Sequence, residues 1–142
     1  MVVWKRPSVE TKYHIDYDWW QANGKDVRVA VRGQLCKECQ DRFPDHRNTE
    51  SVDWVDPETA EVIQGDALIQ CLRTECANRS DFISRNNPLV TNLFRVFLFN
   101  GNQPLSPLEL AGRMAWTDAG TILRTLSGGT VYMGLRPAPV TD

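Results

Sequence analysis

The 142-residue chain has no apolar run near the ~20 residues a membrane-spanning helix needs. Its first residues, Met1-Val2-Val3-Trp4-Lys5-Arg6-Pro7, lack the apolar core of a secretory signal, so a cytoplasmic protein is the expectation. Histidine is scarce, with His14 and His46 alone. There is no G-x-S-x-G turn and no cysteine-histidine signature, which leaves nucleophilic catalysis without recognisable machinery. A glycine-rich phosphate loop is missing too, because Gly128-Gly129 follows a helical pattern and reads as its C-cap. Enzymatic activity is therefore not expected. An excess of positive charge is also lacking. Residues 1–87 carry 12 Lys and Arg against 15 Asp and Glu, a balance of −3, and residues 88–142 carry 4 against 3, a balance of +1. Phosphate neutralisation supplies most non-specific nucleic-acid affinity, so any such binding has to come from a local patch. Internal repeats and low-complexity segments are absent, and a 42% hydrophobic content fits a packed globular protein rather than a disordered tail.

What the chain does hold is four cysteines in two close pairs, Cys36-x2-Cys39 and Cys71-x4-Cys76. Without a secretory signal this pattern favours a metal over disulfides. Four thiolates suit a closed, tetrahedral, structural Zn²⁺ site rather than a catalytic one, which keeps a position open for water. The second pair is the weaker half. Five residues apart on one continuous helix, Cys71 and Cys76 would point about 140° apart, so both can face one ion only where the helix ends or distorts between them. A mixed site of Cys36, Cys39, one later cysteine and His46 is the nearest variant. The plainer reading makes Cys71 and Cys76 small buried hydrophobes.

From the N-terminus, residues 1–12 sustain no period and read as an arm. Tyr13 to Trp20 alternates apolar with polar residues, but a hairpin turning at Asn23-Gly24 would set Asp18 and Asp16 opposite Val29 and Val31. A short helix from Asp16 or Asp18 to Ala22, closed by Gly24, avoids that conflict and is the preferred reading. His14, Asp16 and Asp18 would share a face if the segment were a strand, where they could hold a metal. A solvated acidic patch with a helix-capping aspartate is the favoured account. Val27, Val29 and Val31 alternate with Arg28, Ala30 and Arg32 and predict a strand that delivers the first cysteine pair at a tight turn. Residues 40–53 read as a loop, Val52–Asp56 as a short strand, and Asp56-Pro57-Glu58-Thr59 as a turn. Ala67, Leu68, Ile69, Leu72 and Ala77 predict a helix carrying Cys71 and ending at Asn78 with Ser80-Asp81.

The last third is the most patterned. Leu89, Val90, Leu93, Phe94, Phe97 and Leu98 lie on one helical face, and Asn100-Gly101-Asn102 stops the helix. Ser106-Pro107-Leu108-Glu109 offers an N-cap hydroxyl, a proline at the first helical position and a glutamate that closes a capping box. This second helix is expected to bury Leu108, Leu110 and Met114. Thr117 caps a third helix with Ile122, Leu123 and Leu126 on its core face. Thr130 to Leu135 alternates like a strand, with Val131, Met133 and Leu135 on one side.

The succession resembles the winged helix-turn-helix superfamily over about a third of the chain, above all in Leu105-Ser106-Pro107-Leu108-Glu109-Leu110-Ala111 followed by Thr121-Ile122-Leu123-Arg124-Thr125-Leu126. The resemblance implies a DNA reader, an RNA-binding module or a protein docking platform, and the fold alone leaves the partner open. The alternative architecture is a small helical bundle with a terminal hairpin.

The expected protein is thus α+β, with a zinc-binding unit over 1–86, ligated by Cys36, Cys39, Cys71 and Cys76, packed on a winged helix-turn-helix over 87–142. Its function is expected to be binding, first as a zinc-containing DNA-binding transcription regulator, second as a protein-interaction module in a larger assembly. For double-stranded DNA the candidate contacts are Arg113, Thr121, Arg124, Thr125 and Arg136. Val96 widens the apolar arc of the first of these helices to roughly 200°, beyond the ≳ 100° stripe of a surface helix. Trp19, Trp20 and Trp54 of the zinc unit, or a second copy of the chain in a homodimer, are the candidates to cover it.

Overall fold

The computed structural model describes residues 6–44, 51–55 and 62–139, with the backbone alone for 51–55 and 62–66. Two compact units divide the chain, one of Met1–Lys25 with Ile83–Asp142 and one of Asp26–Phe82. The sequence predicts one division, into 1–86 and 87–142, where the helix-turn-helix pattern begins. The contacts place two, at 25/26 and 82/83, because the N-terminal segment pairs with the C-terminal one.

That pairing is β1 (Tyr13–Ile15) against β4 (Leu135–Pro137), antiparallel, with Ile15 opposite Leu135 and His14 opposite Arg136. On its other edge β1 exchanges two bonds with Leu105: the Tyr13 N–H donates to the Leu105 carbonyl at 2.8 Å, and the Leu105 N–H donates back at 3.0 Å. One residue pair further on there is no strand to continue. The Asn102 side chain takes its place, accepting from the Ile15 N–H at 2.8 Å and donating to the Ile15 carbonyl at 2.9 Å. Asn102 sits at φ 61°, in the left-handed region that asparagine tolerates better than most residues. Tyr13 and Ile15 are both buried by this arrangement.

Directly after β1, the Asp16 carboxylate accepts from the N–H groups of Asp18 and Trp19 and starts α1 (Tyr17–Ala22), which Asn23 and Gly24 end. Trp20 of α1 is buried and lies over Phe94 of α5 (Leu89–Phe99), with ring centroids 6.1 Å apart. The wide apolar arc of α5 is therefore covered in part by Trp20 from its own unit. The side chain of Trp54 lies outside the described residues. Asn92, fully buried in α5, donates to the Ser84 carbonyl at 2.8 Å and accepts from the Asn87 amide, tying 84–87 to the helix.

Helix α6 (Pro107–Ala111) opens on the expected capping box, with the Ser106 hydroxyl accepting from the Glu109 N–H and Glu109 accepting from the Ser106 N–H. Leu110 and Met114 are buried as expected, but Leu108 is 51% exposed. Pro107 takes the inward position instead. Helix α7 (Ala119–Leu126) is capped by Asp118, not Thr117, and buries Ile122 and Leu126 while Leu123 is only half-buried. It ends at Ser127 without positive φ at Gly128 or Gly129. The strand expected over 130–135 is also replaced. Met133 (φ 53°) and Gly134 (φ 72°) form a turn, and extended pairing begins only at Leu135. The cause is Trp20, whose indole N–H donates to the Met133 carbonyl at 3.1 Å and whose ring fills the place of a side chain on residue 134.

In the second unit, Val27–Gly33 is helix α2, not the predicted strand. The Asp26 carboxylate accepts from the Arg28 N–H at 2.9 Å, and Val31 is buried with Val27, one turn earlier, half-buried, while Val29 is 52% exposed. A strand would have put Val27, Val29 and Val31 on one face. A cap and burial at helical spacing overcome the weak preference of valine for strands. Lys37–Arg42 form helix α3, where a tight turn is expected up to Cys39 and a loop from residue 40. Strands β2 (Ser51–Val55) and β3 (Val62–Asp66) pair antiparallel, and the expected turn at 56–59 lies outside the described residues. Helix α4 (Ala67–Thr74) follows and meets α2, α3 and the hairpin.

Two substitutions test the first unit. A Cβ on residue 134 would stand 2.4 Å from Trp20 Nε1 in a positive-φ position. Gly134→Ala is expected to lower stability by about 2 kcal/mol or more from left-handed strain and overpacking together, measured by chemical denaturation followed by tryptophan fluorescence. Asn102→Gly keeps the backbone conformation available but strips both bonds from Ile15, an expected loss of roughly 1–3 kcal/mol. Unchanged stability in Asn102→Gly would mean that water replaces the amide.

Candidate functional site

The cysteines converge because helices start and stop beside them. Cys36 is the extended residue that precedes α3, and Cys39 lies within that helix, fully buried. Cys71 faces inward from α4, which ends at Thr74. A 3-10 turn, Cys76–Asn78, then redirects the chain, and the Asn78 amide donates back to the Thr74 carbonyl at 2.8 Å. The break between Cys71 and Cys76 is the one a shared site requires.

The sulphurs of Cys36, Cys39 and Cys76 all lie within 4.8 Å of one another. Ligand sulphurs around a tetrahedral Zn²⁺ stand about 3.8 Å apart, given Zn–S bonds of ~2.3 Å, so this spacing suits a metal after a small contraction. Donor chemistry agrees, since soft thiolates select zinc and related thiophilic ions. Cys39 and Cys71, however, are joined as a disulfide, with Cα atoms 6.0 Å apart. Where cysteine spacing predicted four thiolates on one ion, the structure brings three sulphurs within ligand distance and links the fourth covalently to one of them. His46 lies outside the described residues.

The surroundings are those of a sulphur site. The Cys36 N–H donates to Cys76 Sγ at 2.9 Å, and Arg42 Nη1 approaches Cys71 Sγ at 3.5 Å. Arg79, just past the 3-10 turn, pairs with Glu38 of α3 at 3.2 Å and pins the turn to the helix. Burial pushes the Cys36 thiol up, but the Cys39 N–H, the Cys76 side chain and Arg79 outweigh it and hold the thiol below its ordinary range. Burial drives Cys76 the other way, to about 11. Arg42, Glu38 and Arg79 carry no spacing signal that would have marked them in the sequence.

The residues expected to meet DNA are in the other unit. Arg113 is exposed just after α6, and Arg124 is exposed on α7 with Nη2 donating to the Thr121 hydroxyl at 3.1 Å. The Thr125 hydroxyl donates to the Thr121 carbonyl at 3.1 Å, so its proton is used within the helix. Arg136 lies on β4 rather than on a wing hairpin and pairs with Asp16 at 3.3 Å. His14 and Asp18 do not join Asp16 in a metal-binding group, and Asp16 serves as the cap of α1.

Among the described residues no helix is long and apolar enough to cross a membrane. Comparison with protein-family models, with curated proteins and with solved structures finds no match to this chain.

Proposed function

We propose that the protein is a non-enzymatic, DNA-binding transcription regulator, in which a structural Zn²⁺ on the cysteine cluster stabilises the Asp26–Phe82 unit. Helices α5 to α7 act as a helix-turn-helix of the winged-helix kind, with α7 entering the major groove. The observation that carries this reading is the α6–α7 pair: two capped helices in contact, Leu110, Met114, Ile122 and Leu126 buried, and Thr121 and Arg124 on the outward side. Arg113 flanks them. Zinc supplies cohesion and no chemistry, as expected of a thiolate site without an open position.

A second reading has one observation in its favour. Leu108 is 51% exposed and Tyr132 47% exposed in the same unit. Paired with the thin positive charge, this suits a docking surface for another protein, or for a second copy of the chain.

Reduced, folded protein is expected to hold about one Zn²⁺ per chain. Cys36→Ser and Cys39→Ser should lose the metal along with much of the unit's stability, because zinc binding and folding are coupled. Elemental analysis that finds no zinc in such protein ends the metal assignment. Full zinc occupancy in Cys76→Ser would instead transfer that position to His46.

DNA binding has a salt signature. With Arg136 engaged by Asp16, Arg113 and Arg124 are the remaining phosphate contacts, and the slope of log affinity against log salt is expected near −2. Arg113→Ala and Arg124→Ala should each reduce it by about one, and Arg136→Ala should leave it unchanged. A gel-shift titration at ~50 mM salt without retention of any duplex would favour the docking surface, since weak electrostatic binding is most visible at low salt.

A further inference from the structure

We propose that the cysteine cluster has two mutually exclusive closed states, a metal-filled tetrathiolate and a metal-free Cys39–Cys71 disulfide, and that peroxide converts the first into the second. This rests on the zinc reading and adds its regulation by an oxidant.

The geometry points to it because Cys39 belongs to both sets. Its sulphur is within ligand distance of Cys36 and Cys76, and it is also the sulphur bonded to Cys71. A closed structural zinc site uses four ligands, and once Cys39 and Cys71 are bonded only two thiols remain. The 6.0 Å between the Cα atoms of Cys39 and Cys71 lies inside the range a disulfide spans, so switching needs no movement of α3 away from α4. Either state ties the same two helices together. Loss of the metal by this route therefore leaves the unit cross-linked.

Burial sets the order of events. Cys39, Cys71 and Cys76 are buried, whereas Cys36 is only partly covered and is the sulphur a small oxidant reaches. The Cys36 thiolate attacks a peroxide oxygen, the O–O bond breaks, and the sulphur becomes a sulfenic acid as hydroxide leaves and is protonated to water. Cys39 then attacks the Cys36 sulphur, an S–S bond forms, and a second hydroxide departs and is protonated. Cys71 finally attacks the Cys39 sulphur, which forms the Cys39–Cys71 bond and returns Cys36 as a thiolate. In sum, two thiolates, one hydrogen peroxide and two protons yield one disulfide and two waters. Zn²⁺ departs, and Cys36 and Cys76 are protonated in its place. A dithiol reductant with Zn²⁺ reverses the change.

The test uses the full chain, purified reduced and zinc-loaded, with hydrogen peroxide as the probe. Released zinc is followed with a chromogenic chelator, disulfides are mapped by peptide mass spectrometry, and folding is followed by circular dichroism. The expected result is one zinc released for each disulfide formed, a Cys39–Cys71 link, alkylatable Cys36 and Cys76, and helical signal retained. Dithiol and Zn²⁺ should then restore the metal. Zinc that stays bound under peroxide, or a final disulfide containing Cys36 or Cys76, overturns the proposal and leaves the zinc reading standing. Absence of zinc from the reduced folded protein overturns both.

Discussion

The first unit depends on three residues being held from both sides. Tyr13–Ile15 is too short to be a strand by itself, and it becomes one because β4 pairs with one edge while Leu105 and the Asn102 amide satisfy the other. Buried backbone donors and acceptors must be paired, and here three separate stretches of chain share the work. The turn into α1, the seat of Trp20 over Phe94, and the bend at Met133-Gly134 all follow from that anchoring. Even the entry to α6 is tied in, since Lys12 bonds Glu109, the residue that closes its capping box.

The second unit is organised on a different basis. It is short, and small units bury too little apolar surface to be stable without a cross-link or a metal. Its cysteines sit where α3, α4 and the 3-10 turn meet, so a bond among them reinforces a small core that includes Val31, Leu35, Leu68 and Leu72. The Arg79–Glu38 pair adds a polar tie at the same place, of small energetic weight because both side chains are well exposed.

Legibility in the sequence followed the range of the forces involved. The capping box at Ser106 and the stop after Phe99 were readable because each depends on neighbours a few residues away. So was α1, since the alternative would have put carboxylates on a valine face. Helix α2 was misread because Val27 and Val31 fit both periods, and the deciding partner, α4, is some forty residues distant. Likewise, nothing local in Thr130 to Leu135 announces that Trp20 occupies the space beside Gly134. Cysteine spacing foretold both the cluster and the need for a break between Cys71 and Cys76, yet not the link from Cys39 to Cys71. Connectivity is not encoded in spacing.

The pairing of β1 with β4 makes the first unit discontinuous, with the whole Asp26–Phe82 unit inserted between its two parts. A ribosome therefore delivers these parts in an awkward order. The inserted unit has all its residues in hand while β1 still waits, over more than a hundred residues of synthesis, for the strand that completes it. Contacts of such long sequence separation form late and slowly. Tyr13 and Ile15 thus lack their β4 partner for most of translation, and the first unit is complete only once the chain is nearly finished.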